Sequence, residues 1–320
     1  MIPIAMTATD PFITLFTAPK PFTDPHINLI QRNAIQSWQH LADDVQVIII
    51  GNEAGMGDFA GETGVRQLQD VACNDQGTPL VSSLFDLARQ NSTSPILAYI
   101  NADILLTPEF VSLTRQVADQ AQEFLIVGQR WDLNLTQALD FGPDWDVRLL
   151  FDVKTRGRHH PPGGSDYFIF PRNCFTKVPG FANGRAGWDN WMFYHARVNH
   201  WHVIDVSSSL TAIHQDHDYS HLPGGQPHYH LPESYENIRL AGGRRTIFTL
   251  LDADYTFQAG KLVRIPLRGR HLWRNIETYP LTQWQSYPLA ELTFAFFHPI
   301  KAFGEWRGRL AYKINTNKLS

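Results

Sequence analysis

The chain has 320 residues, 43% of them hydrophobic and 18% charged, with a formal net charge of −4. This composition allows a large buried core and gives no argument for nucleic acid as the main partner. Cys73 and Cys174, the two cysteines, lie far apart and suggest neither a disulfide framework nor a cysteine metal site. Met1 to Asp10 lack the basic and apolar regions of a secretory signal, and no apolar run approaches the roughly 20 residues that span a bilayer. A cytoplasmic location is the default expectation.

The first half alternates strand-like and helix-like segments. Phe12 to Phe16 is a short apolar run that stops at Ala18-Pro19-Lys20-Pro21. Asp24-Pro25 then has the form of an N-cap followed by proline in the first turn. Ile27, Ile30, Ala34, Trp38 and Leu41 follow at spacings of three and four, predicting one face of an amphipathic helix. Val45 to Ile50 is a β-branched run of the buried-strand type, closed by Gly51. Thr78-Pro79 repeats the cap signal, with Leu80, Leu84, Leu87 and Ala88 as a second helix face. Ile96 to Ile100 and Phe124 to Val127 are the next strands, with Thr107-Pro108-Glu109 opening a helix between them.

Strands alternating with helices predict an α/β fold with a mostly parallel sheet. The second half is more irregular. Pro161-Pro162-Gly163-Gly164 leads into a short strand at Tyr167 to Phe170, and Trp201 to Val206 is a further strand candidate. A His-, Pro- and Gly-rich loop lies between Ala212 and Ser234. The division expected is a main domain over residues 1–251 and a C-terminal extension over 252–320.

The most informative residue is Asp103, which ends the apolar run from Ile96 and is followed at once by Ile104 to Leu106. A carboxylate in such a run requires a metal ion or a dense set of donors. At the C-terminal edge of a strand it would face the crevice where open α/β sheets bind ligands. Asn101 stands two residues before it, and a sparse site of this kind suits Mg²⁺ or Mn²⁺ shared with phosphate oxygens. The alternative is an Asx turn capping the next segment.

Three other constellations stand out. Asp189 lies between Trp188 and Trp191; apolar surroundings would raise its pKa toward general-base duty, and the indoles would suit stacking on a sugar ring. The plainer alternative is a helix start with both tryptophans in the core. His214, His217 and His221 form a cluster that could supply one metal ligand or, with all three, a zinc site. Thr17-Ala18-Pro19 and Gly51-Asn52-Glu53 follow the first two strands. There Pro19 could wall a flat ring and Glu53 accept a base or ribose hydrogen bond. No Walker loop and no G-x-G-x-x-G fingerprint occurs, against a P-loop NTPase or a dinucleotide-binding dehydrogenase.

From Lys261 onward bases outnumber acids and are interleaved with aromatics such as Trp273, Phe296 and Trp306. Such a tail either packs its aromatics on the main domain or lies on an anionic membrane surface.

Taken in order, these elements resemble the GT-A fold glycosyltransferases of the family 2 type, over roughly Phe12 to Tyr219. Asn101-Ala102-Asp103 is similar to their acid-x-acid metal motif, with asparagine in place of the first acid. Gly163-Gly164-Ser165-Asp166-Tyr167 sits where their glycine-rich loop would be. Trp188-Asp189 resembles the later acidic motif that often supplies the base in inverting members, and His214 the histidine that can complete the metal site.

The start of the chain, Phe12 to Phe22, resembles a little-studied bacterial branch of that fold. The resemblance implies a Rossmann-type sandwich with helices on both faces, and transfer of a sugar from a nucleoside-diphosphate sugar, a UDP-sugar first among them. The acceptor is a glycan, lipid or protein hydroxyl. Mn²⁺ or Mg²⁺ would be held by Asp103 and His214. Thr17, Ala18, Pro19, Glu53, Asn101, Arg130, Gly164 and Asp166 would contact the donor, Trp188 and Trp191 the acceptor, and Asp189 would be the base. Two rivals remain: a metal-dependent hydrolase built on the His214–His221 cluster, and an inactive sugar-nucleotide-binding protein.

Overall fold

The computed structural model describes residues 10–163, 165–217 and 231–316, and of residues 309–316 the backbone alone. Gly164, His221 and the rest of the loop from 218 to 230 lie outside the described residues.

Strand β1 (Ile13–Thr17) leads into helix α1 (Pro25–Gln39), then β2 (Val45–Ile50), α2 (Met56–Thr63), β3 (Arg66–Leu68) and α3 (Val81–Gln90). Next come β4 (Ile96–Ile100), β5 (Ile104–Leu105), α4 (Glu109–Ala118), β6 (Phe124–Val127), β7 (Arg130–Leu133) and α5 (Trp145–Arg156). The chain continues through β8 (Arg158–His159), β9 (Tyr167–Pro171), α6 (Trp188–Val198), β10 (His202–Asp205), β11 (Ala212–Gln215) and α7 (Pro232–Leu240). It closes with β12 (Tyr255–Gln258), β13 (Lys261–Arg264), α8 (Gly269–Trp284), α9 (Tyr287–Phe297) and α10 (Pro299–Thr316).

The main sheet has the order β13-β12-β10-β6-β9-β4-β1-β2-β3. Its pairings are parallel except where β9 runs antiparallel to β4 and β6, and where β13 turns back along β12. Alternation along the strands feeds two cores. Ile13, Leu15, Ile96, Ala98 and Ile100 face one layer with Trp38 of α1, Phe59 of α2 and Phe110 of α4. Phe16, Ile48, Ile50, Leu97 and Tyr99 face the other, with Leu84 of α3 and Phe193 of α6. The sheet is therefore covered by helices on both faces, as the α/β reading expects.

Helix α1 forms where the sequence predicts it. The Asp24 carboxylate accepts the backbone N–H groups of His26 and Ile27, each at 2.9 Å, and Pro25 occupies the first turn. Four of the predicted apolar-face residues are buried on it, and the fifth, Leu41, is buried just past its end. The second cap signal behaves differently. Helix α3 starts at Val81 after Leu80, without a side-chain cap, while Pro79 bridges to Cys73 and Leu80 to Ala182. The proline constrains an extended approach and not a first turn.

Two further differences affect the site and the domain division. Ile104 and Leu105 form a strand of a second, smaller sheet ordered β5-β11-β7-β8. Strands β12 and β13, which follow the boundary expected at residue 252, pair with the main sheet through β10. The helices α8 to α10 begin after it, and Leu281 and Ala290 tie them to the core.

Trp38 links α1 to the second sheet: its indole N–H donates to the Ile104 carbonyl at 2.8 Å, one residue beyond Asp103. Trp38→Phe leaves that buried carbonyl without its donor, a cost of about 1–3 kcal/mol. A lowered urea-unfolding midpoint is expected, and an unchanged one would contradict this anchoring.

Candidate active site

The parallel strands β1, β2 and β4 end at one edge of the main sheet, where open α/β sheets place their ligands. Because β9 runs the other way, its starting residue lies at the same edge, and the Asn101 N–H donates to the Asp166 carbonyl at 2.9 Å. A turn closed by the Ile104 N–H on the Asn101 carbonyl then redirects the chain into the small sheet. Asp103 sits in that turn.

The register of the small sheet brings the histidine to the acid. His214 on β11 pairs with Ile104 on β5, and on its other side with Asp132 on β7. Ile213, one residue earlier, points to the opposite face and packs on Leu105, Leu133 and Leu149. His214 Nε2 lies 3.7 Å from Asp103 Oδ2, and His217 Nε2 lies 3.1 Å from the same oxygen. The other oxygen, Oδ1, is buried with no hydrogen-bond partner.

This trio fits a divalent metal. The three ligand atoms lie within 4.8 Å of one another. Two ligands bonded at about 2.1 Å to one ion are roughly 3.0–3.4 Å apart, close to the observed separations. The orphaned Oδ1 also marks a carboxylate whose charge needs a further partner.

The electrostatics favour ligation. Burial alone would raise the Asp103 pKa; His214, the His217 hydrogen bond and Lys20 reverse this and hold the carboxyl well below the usual range. The His214 charge acts only in acid, because burial lowers that ring's own pKa. At neutral pH His214 is thus an uncharged imidazole, the ligating form. Burial likewise lowers the Lys20 pKa, against the pull of Asp103.

Charged groups surround the other side of the His214 ring. Asp132 Oδ1 lies 3.3 Å from His214 Nδ1, too poorly directed to count as a hydrogen bond, and its other oxygen meets His160 Nδ1 at 2.8 Å. Arg130 bridges this group to the sheet edge, with Nε 3.0 Å from Asp132 and an Nη1 2.6 Å from Asp166. Asp166 in turn accepts the Asn101 amide at 2.9 Å. Arg130 is therefore an ion-pair hub.

Asn101, Asp103, Arg130, Asp166, His214 and His217 form part of the wall of a cleft of about 690 Å³. Of the donor-contact residues expected from the sequence, Ala18, Pro19, Glu53, Asn101, Arg130 and Asp166 line it, as do Asp103 and His214. Thr17 is buried behind the wall with its hydroxyl unpartnered. Gly164 lies outside the described residues.

The expectation for the tryptophans needs correction. Trp188 and Trp191 are each 5% exposed and do not line the cleft. Trp188 packs edge-on against Tyr99, and Trp191 stacks on His195 at 4.4 Å. An indole's apolar area outweighed its value as a stacking platform. Asp189 is half-buried in the first turn of α6, where it accepts the Gly187 N–H at 3.1 Å. It does not line the cleft. Burial raises its pKa against the Asn190 and Gly187 N–H groups, and the Asp166 charge raises it further.

Several cleft residues carried no sequence signal. Lys20 is fixed by Gln31, whose amide accepts the Lys20 N–H at 2.6 Å and donates to its carbonyl at 3.0 Å. Asn183 receives the Tyr99 hydroxyl at 2.9 Å, and Arg185 is paired with Glu233 at 2.6 Å.

No protein-family model and no curated protein matches the chain. Among solved structures it is similar to S. aureus TarS 1–349, with 9% identity, 63% of this chain and 60% of that chain covered, and a TM-score of 0.43. It thus spans less than two thirds of that protein. It is also similar to Mycobacterium tuberculosis glucosyl-3-phosphoglycerate synthase, with 15% identity, 73% and 82% coverage and a TM-score of 0.46. The same synthase in complex with Mg²⁺ and UDP gives 15% identity, 81% and 87% coverage and a TM-score of 0.46.

Two imidazoles and one carboxylate suit transition metals better than Mg²⁺, which favours all-oxygen ligation. Titration calorimetry of metal-stripped protein is expected to show Mn²⁺ binding at least roughly tenfold tighter than Mg²⁺. Asp132→Asn is expected to weaken Mn²⁺ binding severalfold, by removing the negative charge 3.3 Å from His214 Nδ1. Equal affinities for the two ions, or an Asp132→Asn protein that binds Mn²⁺ like the parent, would overturn these assignments.

Proposed function

We propose that the chain is a glycosyltransferase of the GT-A type, moving a sugar from a nucleoside-diphosphate sugar to an acceptor hydroxyl. The observation that carries this reading is the Asp103–His214–His217 cluster, set in a cleft at the ends of parallel strands. The cleft volume lies in the range that encloses ligands of this size. The family resemblance of the ordered motifs makes a UDP-sugar the first donor to test.

Each residue has a defined task in this scheme. Pro19 walls the nucleoside base, and Glu53 accepts a hydrogen bond from base or ribose. Asp103, His214 and His217 hold Mn²⁺ or Mg²⁺, which when bound neutralises the diphosphate leaving group. Lys20 adds a second positive charge on the same side as Asp103. Arg130 keeps Asp132 and Asp166 in place and does not need to touch phosphate. Asn101 serves the same end through its amide on Asp166.

The acceptor oxygen forms a bond to the anomeric carbon as the carbon–oxygen bond to the diphosphate breaks. Asp189 is proposed to take the acceptor proton, an assignment that the resemblance implies and that its burial-raised pKa supports. With this base the transfer inverts the anomeric centre, so the configuration of the product by NMR tests it directly. Trp188 and Trp191 contribute by holding the first turn of α6.

Asp103→Ala and Asp189→Asn are each expected to lower transfer at least 100-fold while the circular dichroism spectrum is retained. Full activity in both proteins would remove the basis of the scheme. The base must be ionised to act, so kcat/KM is expected to fall with acidification already above the ordinary carboxylate range. A thermal-shift screen of nucleoside diphosphates with and without Mn²⁺ tests donor binding independently of the acceptor. Stabilisation by zinc alone, with hydrolysis that needs no sugar nucleotide, would favour the hydrolase reading, which the two-imidazole ligand set also supports.

A further inference from the structure

The C-terminal helices expose an apolar stripe that nothing in the described residues covers. Leu289, Leu292 and Phe296 follow at spacings of three and four on α9, and Ile300 and Phe303 at a spacing of three on α10, on either side of the non-helical His298. Their exposures are 41%, 66%, 80%, 87% and 57%. Helix α9 is apolar nearly all round; its one charged residue, Glu291, lies 3.3 Å from Arg245. Such a helix calls for cover on more than the side that buries Ala290. Trp273 and Trp306 extend the patch.

The charges around this stripe are one-sided. All three acids between Ile265 and Gly308 are engaged within the protein: Glu277 by Arg274 and His298, and Glu291 and Glu305 by Arg245. Arg268, Arg270, Lys301 and Arg307 are exposed, and no acid lies within ion-pair distance of them among the described residues. The Trp273 and Phe297 rings lie 6.0 Å apart, which sets Arg268 and Arg270, at the start of α8, beside the end of α9. After Glu305 the sequence adds Arg309, Lys313 and Lys318 to Arg307 and contains no further acid.

We propose that this face docks onto an anionic lipid bilayer, the apolar stripe entering the headgroup boundary and the bases meeting the lipid charge. Bulky apolar and aromatic side chains flanked by arginine and lysine are the combination that holds a helix in the plane of an interface. A second copy of the chain is a poorer occupant. A two-fold contact over the stripe would bring Lys301 and Arg307 of both copies together, like charge against like. Among the described residues no helix is long and apolar enough to cross a membrane, so the contact is peripheral. The proposal is independent of the donor site and points to an acceptor met at a membrane surface.

The test is sedimentation of the full chain with phosphatidylcholine vesicles and with vesicles of phosphatidylcholine and phosphatidylglycerol. Binding to the mixed vesicles alone is expected, and it should weaken as salt is raised. F296S/I300S and R268E/R270E are each expected to reduce it at least roughly tenfold, with circular dichroism and Mn²⁺ affinity unchanged. Equal binding to both vesicle types, or none to either, would overturn the proposal. So would a concentration-dependent dimer of the parent that F296S/I300S abolishes.

Discussion

The site depends on one buried amide. Gln215, fully buried at the end of β11, donates from its backbone N–H and from its side chain to the Asp103 carbonyl, each at 3.2 Å, and from the same side-chain nitrogen to Ile30 at 2.7 Å. Its side-chain oxygen accepts from Asn33 at 3.1 Å, and Asn33 also holds the Leu139 N–H at 2.9 Å. Segments 112 residues apart are thereby locked together with α1 between them. Buried amides are tolerated only when satisfied, so this network admits few alternative positions for the turn that carries Asp103.

This explains which parts of the site could be read in the sequence. Asp103 was visible because a charge at the end of a buried apolar run is costly without a partner, and the strand from Ile96 to Ile100 lies where that run predicts. The helix after Asp24 was visible because capping and apolar spacing are local. Helix α1 was also read as having a single apolar face, yet Gln31, Asn33 and Ser37 on it are buried too. Their partners, Lys20, Gln215 and Leu106, belong to other segments, and no local pattern announces such pairings.

The small sheet was hidden for the same reason. Ile104–Leu105 is too short to show a period, and its pairing with His214 is a matter of tertiary register. That register sets His214 against Asp103, and His217, two residues past β11, reaches the same carboxylate oxygen. The tryptophans beside Asp189 show the opposite limit. Their size made them attractive as binding platforms, and the same size drew them into the core formed by Tyr99, Phe168 and Phe175.

Asn101 has a consequence for turnover. With asparagine in the place of a second acid, the candidate metal site of Asp103, His214 and His217 offers a single carboxylate. An ion of charge +2 held there keeps a surplus of one positive charge, and Lys20 adds to it. Under the proposed glycosyl transfer, such a site would hold the spent nucleoside diphosphate more firmly than a two-carboxylate site would. The slow event of each proposed cycle would then move from bond exchange to departure of the by-product, and the rate would respond to how much of that by-product the surroundings contain.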